Sequence, residues 1–161
     1  MLNKFLGLVN NPITFRLFLL KNLPSAYFSG VRVKYADEEK CVVTVPFKWF
    51  TKNPFRSTYF ACLSMAAEMS TGVLAMGHTY RSDPTICMLV SKTDCIFIKK
   101  ATGTITFTSE DGRRMASMIK EAQATGKSTS LNAYSSGVNA EGETVAEFVI
   151  TWSFKVKTPK G

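Results

Sequence analysis

The plainest pattern in the chain lies near its C-terminal end, where Phe148, Ile150, Trp152, Phe154 and Val156 alternate with Val149, Thr151, Ser153, Lys155 and Lys157. A period of two is what a strand with one buried and one wet face produces. Asn139-Ala140-Glu141-Gly142 supplies a turn ahead of it, so the last third reads as a long antiparallel hairpin. Two more apolar runs, Val31 to Tyr35 and Cys41 to Phe47, flank the polar turn Ala36-Asp37-Glu38-Glu39-Lys40 and read as a second hairpin. A strand pair is expected around Thr85 to Lys100 and Thr104 to Thr108, turning near Ala101-Thr102-Gly103. Met115, Met118, Ile119 and Ala122 recur at helical spacing, which predicts a helix over Glu110 to Ala124, with Ser109 as its cap and Gly126 as its stop.

The opening, MLNKFLGLVNNPITFRLFLLKNLP, places a lysine before an apolar run, as a secretory leader does. Asn10-Asn11-Pro12 and Arg16 interrupt that run and no small-residue cleavage site follows, so two short amphipathic helices are expected instead. The second takes Asn11 as N-cap and Pro12 at its first position, where a missing N–H costs nothing, and stops before Pro24. Packing on the domain is favoured over attachment to a membrane surface.

The stretch from Asn53 to Met76 holds one acidic side chain, Glu68, and from Ser57 onward that carboxylate is its only charge. On a helical wheel Ser57, Ala61, Ser64, Thr71, Gly72 and Ala75 lie near Glu68 as a narrow stripe of small or hydroxylated residues. Phe60, Cys62, Leu63, Met65, Met69, Val73, Leu74 and Met76 fill most of the rest. A helix apolar nearly all round is a buried one. Its length also suits a membrane span, but Glu68, the hydroxyls beside it and a chain otherwise made of amphipathic strands argue against that. The expected class is α+β, with a curved antiparallel sheet wrapped around one long central helix. No repeat, low-complexity tract or linker divides the 161 residues, so one domain is expected over 1–161, with 1–24 as an N-terminal helical extension.

A hydrophobic content of 45% suits a single core. The four cysteines, Cys41, Cys62, Cys87 and Cys95, form no Cys-x-x-Cys pair and His78 is the sole histidine, so no metal site and no disulfide framework is expected. That usage fits a reducing cytoplasm. The net charge of +8 is spread over small groups: Lys48, Lys52 and Arg56; Lys99-Lys100; Arg113-Arg114; Lys155, Lys157 and Lys160. Such a field attracts nucleic acid, a membrane surface or a phosphorylated small molecule, and its sign does not choose among them. Nucleic acid is disfavoured, because aromatics interleave with lysines only at Lys48-Trp49-Phe50-Thr51-Lys52.

The architecture expected here is the hotdog fold, and from about Val31 to Lys157 the sequence resembles hotdog acyl-CoA thioesterases of the phenylacetyl-CoA type. Asn53 and Glu68 stand at the spacing of that family's loop asparagine and helix acid. Phe97-Ile98-Lys99-Lys100-Ala101-Thr102-Gly103 is similar to its strand and Ala-x-Gly turn, and Gly126-Lys127, Val138-Asn139-Ala140-Glu141-Gly142 and Val145-Ala146 are similar to its last two strands. Where the family has His-Gly-Gly this chain has Tyr59-Phe60-Ala61, which resembles a branch that keeps the asparagine and the acid without the His-Gly.

The resemblance implies hydrolysis of an acyl-CoA, with coenzyme A entering as part of the substrate and no separate cofactor. It also implies a homodimer, or a pair of dimers, in which the Asn53 loop of one subunit faces Glu68 of the other. Glu68 is then general base or nucleophile, Asn53 orients water or substrate, the Phe60 N–H polarises the carbonyl, and Ser64 or Thr71 holds the attacking water. Tyr59 forms pocket wall, and Lys99, Lys100, Arg113 and Arg114 are candidates for the coenzyme phosphates. Burial among methionine and alanine raises the pKa expected for Glu68. Each residue has a plainer reading: Glu68 as a structural acid paired with Arg56, Lys92 or a backbone donor, Asn53 as a helix-entry residue, Ser64 and Thr71 bonded back to the helix, and His78, past the helix end, as a surface or capping residue. A hotdog module that binds an acyl chain or fatty acid without turnover is the alternative function.

Overall fold

The structure, a computed structural model, describes residues 2–157; Lys160 of the C-terminal basic group lies outside them. Three helices open the chain, α1 (Leu2–Asn10), α2 (Pro12–Asn22) and α3 (Pro24–Ser29). Asn11 caps α2 as expected, its side-chain oxygen accepting from the N–H groups of Ile13 and Thr14 at 3.1 and 3.0 Å. The expectation of two helices falls one short, because Pro24 ends α2 and also begins α3 at a position where proline suits a first turn. Gly30, at φ 76°, then turns the chain into the sheet.

Six antiparallel strands follow: β1 (Arg32–Ala36), β2 (Cys41–Val45), β3 (Ile86–Phe97), β4 (Ile105–Ser109), β5 (Thr129–Val138) and β6 (Thr144–Val156), in the spatial order β1-β2-β4-β5-β6-β3. Both hairpins read from the sequence form. The strand pair expected from β3 and β4 does not: β4 lies between β2 and β5, whereas β3 pairs with β6 along its whole length at the opposite edge. Nearness in sequence is a bias toward pairing and not a rule. The long apolar face of β6, with Phe148, Ile150, Trp152 and Phe154 all buried, takes two long partners.

The 20-residue helix α4 (Phe60–Thr79) runs through the curve of this sheet. On length and composition it suits a bilayer, yet twelve of its residues are buried within the domain, and it is the core helix. It starts later than the apolar run suggests, since Asn53 to Tyr59 form a loop and Ser57 lies off the helix. On the same core Phe107 and Phe148 pack edge to face at 5.7 Å, and the exposed Phe97 rests edge to face on Phe148 at 5.8 Å. Helix α5 (Gly112–Thr125) buries Met115, Ile119 and Ala122 and stops at Gly126, φ 69°. Its N-cap residue is Asp111 and not Ser109, which is instead the last residue of β4, paired with Cys41. The Asp111 carboxylate accepts from the Tyr134 N–H and the Arg114 guanidinium, both at 2.6 Å.

The N-terminal helices are fixed to the domain by polar as well as apolar contacts. The Asn10 amide donates to the Ala36 carbonyl at 2.7 Å and accepts from its N–H at 2.9 Å, while Leu2 and Phe5 of α1 rest on Gly77 of α4. Beside that contact, Gly112 abuts the β1–β2 turn so closely that a β-carbon there would lie 2.1 Å from the Glu38 carbonyl oxygen. Gly112→Ala must therefore part backbone from backbone, and a loss of about 1–3 kcal/mol in chemical denaturation is expected, against the gain alanine gives in an open helix.

Candidate functional site

The polar groups inside α4 decide which way it faces. The Thr71 hydroxyl donates to the Glu68 carbonyl at 3.0 Å and accepts from the Trp152 indole N–H at 2.9 Å. The Ser70 hydroxyl donates to the Ala67 carbonyl and meets the Ser135 hydroxyl, each at 2.7 Å. These two buried links tie the helix to β6 and β5. Thr71 is fully buried and its single donor is committed, so it does not hold the attacking water; it positions the turn that carries Glu68.

That turn presents Glu68 to an open cleft of about 490 Å³ lined by Gly72, Met76, Thr79, Met88 and Trp152, with Arg81 at its rim. A β-carbon on Gly72 would sit 3.0 Å from Glu68 Oε1 and 3.2 Å from the Trp152 ring, so the missing side chain is what lets carboxylate and indole lie together. Glu68 is half-buried and pairs with no cation among the described residues: Lys92 pairs with Asp94 at 2.6 Å, and Arg56 stands in no ion pair with any described residue. Burial alone holds its pKa above the ordinary carboxylate value. Trp152 was read from the sequence only as a core residue, and its indole N–H, which demands a partner when buried, is the signal that pointed further.

Asn53 builds a second site. Its side-chain oxygen accepts from the N–H groups of Phe55 and Ser57 at 3.0 and 3.1 Å and its amide donates to Ser57 Oγ at 3.0 Å, which sets the loop leading into α4. Asn53, Tyr59, Phe60, Lys99 and Lys100 line one pocket of about 550 Å³, with Phe55 and Phe97. At this helix start the Tyr59 side chain makes no capping bond, and the Phe60 and Ala61 N–H groups are left without a partner among the described residues. Free N–H groups at a helix N-terminus favour an anionic oxygen. Ser64, one turn on, bonds back to the Phe60 carbonyl at 2.9 Å.

Of the expected phosphate contacts, only the lysines face this pocket. Lys99 pairs with Glu143 at 2.6 Å, and Lys100 reaches toward the Phe55 carbonyl. Arg113 pairs with Glu39 and Arg114 with Asp111, on α5 and away from both sites, so the structure does not bring them into the constellation. His78, expected past the helix end as a surface or capping residue, lies in the last turn of α4 and meets the Glu38 carbonyl of the β1–β2 turn at 3.0 Å, so it ties the helix to that turn and caps nothing. Among the described residues no three His, Cys, Asp or Glu cluster as a metal site, and all four cysteines are free, Cys41 and Cys62 buried.

Within one chain the two halves stay apart. Phe60 and Glu68 are eight residues apart on α4, about 12 Å at ~1.5 Å per residue, and they open into different cavities.

Residues 15–154 match the family described as "Domain of unknown function (DUF4442)". No curated protein matches the sequence. Among solved structures, the fold is similar to a Pseudomonas aeruginosa protein described as "Probable Thioesterase" (TM-score 0.77, 20% identity, 91% of this chain and 97% of that one). It is also similar to a second Pseudomonas aeruginosa thioesterase, solved as a mutant (TM-score 0.66, 13% identity, 88% and 91%), and to the Escherichia coli PaaI protein from the phenylacetic acid degradation operon (TM-score 0.64, 18% identity, 93% and 96%). At these identities the likeness establishes the hotdog fold.

Two substitutions test the site. Glu68 binds its proton more tightly folded than unfolded, so its contribution to stability is complete below the unfolded value near pH 4.5 and is lost as pH rises through the folded pKa. Glu68→Gln is expected to melt a few degrees above the wild type at neutral pH, the two curves converging below about pH 4 in calorimetry. Thr71→Val strands the Trp152 N–H in the core, and denaturant titration is expected to show a loss of about 1–3 kcal/mol.

Proposed function

The chain belongs to the family described as a domain of unknown function, DUF4442, and on that premise we propose that it is a thioesterase hydrolysing an acyl-CoA or related acyl thioester at a site shared between two subunits. One observation carries this reading: a desolvated carboxylate with no ion partner among the described residues opens on an apolar cleft, on the fold that thioesterases of known structure share. Glu68 takes a proton from water as the water oxygen adds to the carbonyl carbon, or attacks that carbon itself to form a mixed anhydride that water cleaves after the thiolate has left. The C–S bond then breaks and the thiolate leaves with a proton. The oxyanion meets the Phe60 N–H of the second copy, Asn53 of that copy orients the acyl group, and Ser64 offers its lone pairs to the water.

The second copy is needed because the donors and the base of one chain lie in separate cavities. What supports a dimer is β3, a twelve-residue edge strand whose residues from Ser91 onward are all exposed, Ile96 and Phe97 included; such an edge pairs readily with its own copy. Lys99 and Lys100 then flank the entrance for the coenzyme phosphates. No further cofactor enters this chemistry. An apolar chamber of about 220 Å³ between α1, α2 and the end of α4 shares Met76 and Tyr80 with the Glu68 cleft and gives an acyl chain somewhere to run. The four free thiols fit a reducing compartment such as the cytoplasm. A second reading, acyl binding without turnover, is favoured by the Tyr59 and Phe60 rings, which pack edge to face at 4.9 Å in the donor pocket.

A panel of acyl-CoA substrates separates the two. At least one should be hydrolysed, with a rate that rises with pH through a midpoint above the ordinary carboxylate range, and Glu68→Gln should lower turnover by about 10²-fold or more with folding retained. Inactive Glu68→Gln and Asn53→Ala chains should regain part of the activity when refolded together, since mixed dimers restore one complete site. No turnover on any substrate, with an acyl ligand retained, would establish the binding module instead.

A further inference from the structure

We propose that the face formed by α2, α3 and the 3-10 turn Trp49–Thr51 is a docking surface for an anionic lipid bilayer. Helix α2 is apolar on two opposite sides. Phe15 and Leu19 face the domain and are buried, whereas Ile13, Leu17 and Leu20, at i, i+4 and i+7, form a stripe on the far side and are 73%, 62% and 43% exposed. Arg16 fixes α2 to α3: its guanidinium lies 3.8 Å over the Tyr27 ring and donates to the Tyr27 carbonyl at 3.1 Å. Lys48 in turn donates to the Phe28 carbonyl at 2.8 Å, and the Phe28 and Phe50 rings meet at 6.4 Å. These links hold α2, α3 and the turn in one layer, so the aliphatic stripe shares that layer with two exposed phenylalanines and with Trp49, which is 79% exposed.

Charge identifies the occupant. Residues 1–36 and 44–67 carry eight lysines and arginines and not one aspartate or glutamate, so the whole net charge of +8 resides there and the remainder of the chain is balanced. Among the described residues, every ion pair draws its cation from outside these two segments. Lys21, Lys48 and Lys52 flank the stripe and the aromatic turn and are exposed. Aliphatic and aromatic side chains ringed by unpaired cations match the interface of a membrane with acidic headgroups, where chains enter the acyl boundary and cations stay with phosphate. A second copy would set this uniformly positive face against its own like charge. Nucleic acid offers nothing to three exposed aliphatic side chains.

The test is sedimentation of the full chain with phosphatidylcholine vesicles containing or lacking phosphatidylglycerol, a readout of binding that does not depend on turnover or on the role of Glu68. The wild type should sediment with the anionic vesicles, be released by added salt, and ignore pure phosphatidylcholine. Its Trp49 emission should shift to the blue on binding, a shift absent in Trp49→Phe, while Trp152 stays buried throughout. Ile13→Asp combined with Leu17→Asp should weaken binding about tenfold or more at an unchanged melting temperature. Lys120→Gln with Lys127→Gln, an equal charge change at exposed positions elsewhere, should leave it within about twofold. The proposal is overturned if the wild type stays in solution with anionic vesicles at low salt, or if both double variants lose binding alike. It is also overturned if the lipid-free wild type forms a larger oligomer that the Ile13→Asp and Leu17→Asp changes dissolve, since a second copy then covers the face.

Discussion

The rotation of α4 about its own axis is the constraint on which the rest of the molecule depends. A helix apolar on nearly all sides has no hydrophobic reason to prefer one facing over another, because each rotation buries a similar area. Two hydroxyls break that degeneracy. Ser70 finds Ser135 and Thr71 finds the Trp152 indole, and any other rotation leaves those donors and acceptors unpartnered in the core. Unmet buried polar groups cost more than met ones contribute, so the penalty for misrotation, more than the strength of either bond, sets the helix. Once it is set, Glu68 faces the cleft and Gly72 leaves room for it beside Trp152.

A second consequence of burial follows for chemistry. The apolar lining that makes α4 a stable core helix also withholds solvation from Glu68, and no described residue supplies a cation to compensate. The protein thus carries a destabilised carboxylate where its core helix meets the cleft, the condition in which a carboxyl group works as a base near neutral pH. The cost falls on stability and the gain on reactivity, and the same atoms account for both. The unpaired N–H groups at the start of α4 are a similar case, a helix terminus left without its cap where a developing negative charge would be welcome.

The N-terminal helices and the charged surface divide the molecule differently. Outside residues 1–36 and 44–67 the chain is electrically balanced and carries the ion pairs, while α1 to α3, β1 and the segment from the end of β2 into α4 hold cations without anions. Asn10, Arg16 and Lys48 fasten this positive layer to backbone carbonyls, so it is a built part of the domain with its own exposed apolar face.

Local pattern was enough for much of this. The period of two in β6, the turn at Asn139 to Gly142, the Asn11-Pro12 helix start and the Gly126 stop are decided within a few residues by sterics and capping, and the helix acid at Glu68 stood out because one charge in an apolar run is visible without a fold. Ser109 and Arg113-Arg114 could not be placed that way. A serine before a helix is a cap or a strand end depending on whether a neighbouring strand claims it, and Cys41 did. Basic side chains serve whichever acid the topology brings near, here Glu39 and Asp111. The partner of β3 and the separation of Asn53 from Glu68 also belong to tertiary structure, because strand order and cavity shape arise from contacts between residues far apart in the chain. The sequence by itself determined the elements and the lone acid; only the folded chain decided which strands meet, which hydroxyls are spent on holding the helix, and which cations remain free to face outward.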